Sequence, residues 1–329
     1  MAGEEAKDIS WEVNKSFHFV VAVDGSKGSR ACYEDVCSLY RAGDQITIVT
    51  VASQKEKSHL KFEETPKAIK EYYENRCAGL FPKDKYAVAI TLKAEGEDTS
   101  KALLTFLDKK LTNPPDFLVV GFVGRKGSKT DPTVFGSVTD MSLRSAHMPA
   151  IISKNMVTAE SNHLFVCVDG SDRAHLGVLL AMRFLRPKTG DRVTVASVED
   201  LSDRIGAKGK FTTDSVTSKY TSFCAENPAA TFRLLTKGKD IGVADTLLEA
   251  AEDDATHIIC GVDGVGSHAA GKRDILGSVS DRIVRGSTCT VITVQGRHAI
   301  YESPFHTAAH AAHHETHSAS AEGKAHSHR

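Results

Sequence analysis

The chain has 329 residues, with 41 Lys and Arg against 42 Asp and Glu and a formal net charge of -1. That balance excludes a protein built mainly to grip phosphate backbones, and a hydrophobic content of 41% excludes a disordered polymer. No apolar run nears the ~20 residues of a membrane-crossing helix, so neither a nucleic-acid partner nor a membrane is expected.

Short apolar runs alternate with amphipathic stretches from the start. Phe17 to Val23 reads as a strand buried on both faces, and Lys27 to Arg41 as a helix that Gly43 stops. Gln45 to Val51, rich in Ile, Val and Thr, is a second strand. A charged helix from about Phe62 to Leu80 precedes a strand near Tyr86 to Leu92. Thr99 to Leu111 is helical until Asn113-Pro114-Pro115 breaks it. Phe117 to Gly121, Gly136 to His147 and Ala150 to Ser153 then read as strand, helix and strand. After a short polar junction, strands recur near Leu164–Val168, Arg192–Val198, Thr231–Leu235, His257–Gly261 and Thr290–Val294. Strands alternating with helices predict an α/β fold of right-handed crossovers and a parallel sheet.

The chain is also written twice. Val23-Asp24-Gly25-Ser26 returns as Val168-Asp169-Gly170-Ser171, offset by 145. Gly43-Asp44 before one strand returns as Gly190-Asp191 before another, offset by 147, and Gly136-Ser137-Val138 returns as Gly277-Ser278-Val279, offset by 141. Three blocks that keep their order predict a tandem duplication of a unit of about 140 residues. The expected organisation is an N-terminal extension over 1–15, one domain over 16–155, a second over 161–297, and a tail over 298–329. That tail holds eight of the fifteen histidines and little to bury; it reads as an appendage. The acidic first ten residues lack an apolar segment, and the seven cysteines form no CxxC pair. The expected setting is a reducing cytoplasm.

In an open parallel sheet a ligand binds beyond the carboxyl ends of the strands. Two features converge there in each repeat. Asp24 and Asp169 follow the first strand, where a carboxylate can accept from a ribose hydroxyl or close an Asx-turn. After the fourth strand comes a glycine loop: Gly121, Gly124, then Gly136-Ser137 in one repeat; Gly261, Gly264, then Gly277-Ser278 in the other. Glycines admit close backbone approach, and a helix starting at Gly-Ser offers free amides and a positive dipole end to phosphate. Arg125, Lys126 and Lys129 make the first loop more cationic than the second, where Asp263 and Asp274 offset Lys272 and Arg273. No nucleophile elbow, HExxH or Walker motif occurs, so no catalytic or metal-ligating residue is assigned.

The apolar strand ending Val-Asp-Gly-Ser, the Gly-x-x-Gly and the later Gly-Ser-Val resemble tandem universal stress protein domains. The resemblance implies two five-stranded sheets of order 3-2-1-4-5, of the adenine nucleotide α-hydrolase-like type. It implies an adenine-nucleotide ligand, ATP or AMP, with magnesium as a possible companion. Asp24 and Val51 would serve the adenosine, and Gly121, Gly124, Gly136, Ser137 and Val138 the ribose and phosphates. Asp169, Val198, Gly261, Gly264, Gly277, Ser278 and Val279 would be their second-repeat counterparts. Eleven and twelve residues separate the second and third glycines, more than in the family's ATP-binding branch. The resemblance further implies a stress-response sensor or adaptor with an unidentified protein partner, its last strands pairing the repeats as an intramolecular pseudo-dimer. The alternative is a scaffold of the same fold that binds no nucleotide, with Phe122 or Phe135 filling the pocket.

Overall fold

The computed structural model describes residues 16–53, 65–112, 115–124, 136–144, 148–155, 159–186, 189–199, 212–252, 254–262 and 276–294. The cationic loop residues named above, Phe135, Gly264, the N-terminal extension and the histidine tail lie outside them. The first repeat contains β1 (His18–Ala22), α1 (Lys27–Leu39), β2 (Gln45–Ser53), α2 (Pro66–Ala78), β3 (Tyr86–Lys93), α3 (Thr99–Lys109), β4 (Phe117–Gly121), α4 (Ser137–Arg144) and β5 (Ala150–Ser153). The second contains β6 (His163–Cys167), α5 (Asp172–Phe184), β7 (Arg192–Glu199), α6 (Thr213–Ala225), β8 (Ala230–Thr236), α7 (Val243–Ala251), β9 (His257–Gly261), α8 (Ser278–Gly286) and β10 (Thr290–Val294).

All ten strands join one sheet in the order β3-β2-β1-β4-β5-β10-β9-β6-β7-β8. Each repeat supplies the expected 3-2-1-4-5 order. Pairing is parallel within each repeat, and β5 meets β10 antiparallel, with Ile151 opposite Ile292. The inner strands have both faces covered: every residue of β5, β6 and β10 is buried. The outer strands β3 and β8 leave Ile90, Leu92 and Leu234 exposed.

Local chemistry fixes the helix ends. Thr65 caps α2 ahead of Pro66, whose missing N–H costs nothing at a first helical position, so the helix starts later than its charge pattern predicted. Ser26 and Ser171 cap α1 and α5 by accepting from Ser29 N–H and Ala174 N–H.

The repeated Gly-Asp has a structural task. Gly43 and Gly190 adopt φ of +102° and +78°, which a side chain would strain. The turn aims Asp44 at two amides: Phe17 N–H and Arg41 N–H donate to it, each at 2.8 Å. Asp191 receives Asn162 N–H at 2.7 Å and Arg186 N–H at 2.8 Å in the same pattern. Their ion pairs then diverge. Asp191 is held by Arg186 of its own repeat, whereas Asp44 is held by Arg183, which reaches it from α5 at 2.7 Å. Phe184 likewise leaves its own repeat to pack on Phe17, Phe19 and Phe117. The halves are therefore joined by core as well as by the seam.

Candidate functional site

The chain leaves β1 through Val23, whose N–H donates to Val49 carbonyl, and turns at Gly25 with φ of +81°. Asp24 stands at this exit, half-buried, and its Oδ1 accepts Ser26 N–H at 3.0 Å. Asp169 does the same with Ser171 N–H at 3.0 Å. The Asx-turn is thus formed in both repeats. It uses one carboxylate oxygen as acceptor and turns Asp24 Oδ2 toward the glycine loop, where a Cβ placed on Gly124 would lie 3.2 Å from it.

The loop after β4 is held at its start to β5 and at its end to itself. Phe122 N–H donates to Ser153 carbonyl at 2.8 Å, and Gly136 N–H to Phe122 carbonyl at 3.0 Å. The second fastening brings the start of α4 back over the strand exit. A Cβ on Gly136 would sit 3.5 Å from Gly124 nitrogen. Asp24, Gly121, Gly124 and Gly136 are therefore neighbours at the carboxyl edge of β1 and β4. Val51 lies two residues beyond the β2 partner of Ala22, on the same edge, and packs with Val138 against the core.

In the second repeat Gly277 N–H donates to Val262 carbonyl at 2.7 Å, closing the same fold-back beside Gly261. Ser137 and Ser278 are exposed first helical residues of α4 and α8. Gly277 is the cap of α8 and supplies no side-chain bond. Val279 is 37% exposed, and Val198, near the carboxyl end of β7, is half-buried. A serine hydroxyl takes one amide at the start of α1 and of α5, whereas α8 starts without a side-chain cap bond. Asp140 and Asp281 stand in the first turns of α4 and α8, but Arg144 and Arg285 pair with them at 2.8 Å.

Three further residues shape the site and were not anticipated from the sequence. Thr139 Oγ1 donates to Gly121 carbonyl at 2.8 Å, and Ser280 Oγ to Gly261 carbonyl at 2.5 Å. Each hydroxyl pins a helix start to its strand exit. The signal was present: Gly-Ser-Val is followed by Thr in one repeat and Ser in the other. Gly28 is the third. A Cβ there would come within 2.9 Å of Val123 carbonyl, so only glycine lets the first turn of α1 lie against the loop. The counterpart of Gly28 is Arg173, half-buried and with its guanidinium pushed down by burial. The first turn of α5 thus carries a long cationic side chain where that of α1 has bare backbone.

Phe122 does not fill the first site. It is 7% exposed and turned into the core. Lys154 Nζ lies 4.2 Å from its ring centroid and donates to Arg285 and Ser287 carbonyls at the end of α8. Burial pushes that ammonium down to about 8, with Cys289 opposing the shift. The loop of the first repeat is in this way tied to the last helix of the second. Among the described residues no group of three or more His, Cys, Asp or Glu side chains could hold a metal ion, and no helix is long and apolar enough to cross a membrane.

Residues 160–295 match the model of the universal stress protein family. Solved structures share the fold over most of the chain. A universal stress protein from Archaeoglobus fulgidus DSM 4304 has a TM-score of 0.57 and 18% identity, the match covering 86% of this chain and 98% of its own. A protein of unknown function from Pseudomonas aeruginosa PAO1 has a TM-score of 0.55 and 10% identity, covering 86% and 94%. No curated protein matches the sequence at a significant level.

Proposed function

We propose that this chain, a universal stress protein whose family signature spans residues 160–295, binds an adenine nucleotide, ATP or AMP, in at least its first repeat. The observation that carries the reading is the meeting of Asp24, Gly124 and Gly136 at one strand edge, in a cradle that a Cβ at either glycine would narrow. Asp24 would accept from the ribose, Val51 would flank the base, and Gly121, Gly124, Gly136, Ser137 and Val138 would line the ribose and phosphates, the amides at Gly124 and Ser137 facing the anion. Asp169, Val198, Gly261, Gly277, Ser278 and Val279 would form the second site, with Gly264 in a loop outside the described residues. Magnesium would arrive with the phosphates. The phosphates supply the charge, and the chain supplies fixed donors and a shaped edge.

On this reading the chain acts as a cytoplasmic stress-response sensor or adaptor whose partner surface depends on occupancy. Its repeats, 16–155 and 161–297, work as an intramolecular pseudo-dimer. The test is calorimetric titration of ligand-stripped protein with Mg-ATP, AMP and GTP. Adenine nucleotides should bind in the micromolar range, and Gly136→Trp should weaken the first site at least about tenfold, near 1.4 kcal/mol. No heat with any adenine nucleotide would favour the scaffold.

A further inference from the structure

Asp35 lies in the middle of α1 with none of its surface exposed. Thr290 Oγ1 donates to its Oδ2 at 2.7 Å, and His257 Nε2 lies 3.8 Å from its Oδ1. His257 is equally enclosed, and its Nδ1 lies 2.9 Å from Thr256 Oγ1. The two atoms that face each other, Asp35 Oδ1 and His257 Nε2, have no hydrogen-bond partner. The groups come from opposite repeats, beside the seam of β5 and β10.

The fold itself does not demand polar groups there. His257 pairs with Leu164 as Phe117 pairs with Phe19, so the two are counterparts. By the same correspondence Thr290 matches Pro149 and Asp35 matches Leu180. On that side of the molecule Phe17, Phe19, Phe117 and Phe184 make an aromatic cluster. One architecture thus carries an apolar contact on one side and a titratable one on the other.

The hydrogen bonds set the proton's place. Thr256 Oγ1 donates to His163 carbonyl at 3.1 Å, so toward His257 it accepts, and Nδ1 carries the ring hydrogen. Nε2 is then an acceptor facing Asp35 Oδ1. Thr290 already donates to the other carboxyl oxygen. Ser153 and Thr290 beside the carboxyl favour its ionised form, but burial outweighs them, and an ionised Asp35 would set Oδ1 against an acceptor nitrogen in a dry site, whereas a carboxylic acid can donate across the 3.8 Å to Nε2.

We propose that Asp35 is a proton-bearing latch between the two repeats: its acid hydrogen bridges to His257, and losing it loosens the seam of β5 and β10. Burial pushes the Asp35 carboxyl up to about 7 and the His257 imidazole down to about 3. The other groups facing the pair are Glu34 and Cys32 on α1 and Cys289 before β10 for Asp35, and Asp191 and Arg186 for His257. The sign follows from linkage. An opening that hydrates Asp35 alone releases a proton wherever pH exceeds the ordinary carboxyl value, so it becomes easier from about pH 4 to about pH 7 and level above. Global unfolding exposes His257 too, which takes up a proton below about pH 6.5, and the two effects offset.

The test is amide hydrogen exchange of residues 150–153 and 290–294 at pH 5 and pH 7, corrected for intrinsic base catalysis. Wild-type seam amides should open up to about tenfold more readily per pH unit in this window. Asp35→Asn can accept from Thr290 and donate to His257, so it should hold the pH 5 protection at both values. An Asp35→Leu, His257→Phe double variant, which copies the other side, should also fold and show no pH slope. An infrared carboxylic-acid C=O band at pH 5, absent from Asp35→Asn, should mark the proton. Equal corrected exchange at both pH values in wild type, an unchanged slope in Asp35→Asn, or no such band would overturn the proposal.

Discussion

Phe184 ends α5 of the second repeat, yet its ring centroid lies 5.7 Å from Phe117, 6.0 Å from Phe17 and 6.4 Å from Phe19, all of the first. It is fully buried. Phe184→Ala removes a whole aromatic side chain from a site whose neighbours are held in sheet strands and cannot collapse inward. The cost should fall at about 3–5 kcal/mol, toward the upper end because each ring pair adds about 0.5–1.5 kcal/mol beyond area. That is a large share of the roughly 5–15 kcal/mol that typically holds a domain folded. Urea unfolding followed by far-ultraviolet circular dichroism should show a lower midpoint with one transition. Amide exchange should quicken in residues 18–22 and 117–121, although the substitution lies in the other repeat. A loss below about 1 kcal/mol, or exchange that quickens only in α5, would refute the claim that the repeats share a core.

Gly28→Val would press a Cβ to within 2.9 Å of Val123 carbonyl. A thermal melt should register about 1–3 kcal/mol of destabilisation, and nucleotide affinity at the first site should fall with it. Thr139→Val keeps the shape but orphans Gly121 carbonyl; about 1–3 kcal/mol should be lost, and Thr139→Ser should restore most of it. Burial pushes the Asp191 carboxyl up, but Arg186 and the Asn162 amide outweigh it and hold it at about 2. Its folded value is depressed, so its contribution, on the order of 2 kcal/mol, is present above about pH 4 and lost as pH falls toward 2. Acid titration of Asp191→Asn should lack that segment of the curve.

Much of the fold was legible because two copies of one pattern constrain each other. The apolar runs at β1, β4, β6 and β9 could only be buried parallel strands, and the repeated glycines located the strand exits. What escaped the sequence were contacts without a local pattern. Gly28 reads as an ordinary helix residue until the carbonyl of Val123 is seen beside it, 95 positions away. Asp35 sits among charged and polar residues of an amphipathic helix and reads as solvent-facing. It is buried because β10 of the other repeat covers it. The role of Gly-Asp was missed for the same reason: the amides that Asp44 and Asp191 satisfy precede them by 27 and 29 positions at the widest.

The most direct measurement of the central claim is a crystal structure of the full chain grown with Mg-ATP after ligand stripping. The account predicts nucleotide density over the carboxyl edge of β1 and β4, with the ribose at Asp24 and the phosphates between Gly124 and the start of α4. Fuller occupancy is predicted there than at the Arg173-bearing second site. An empty edge at saturating nucleotide, or a nucleotide bound on another face, would contradict it.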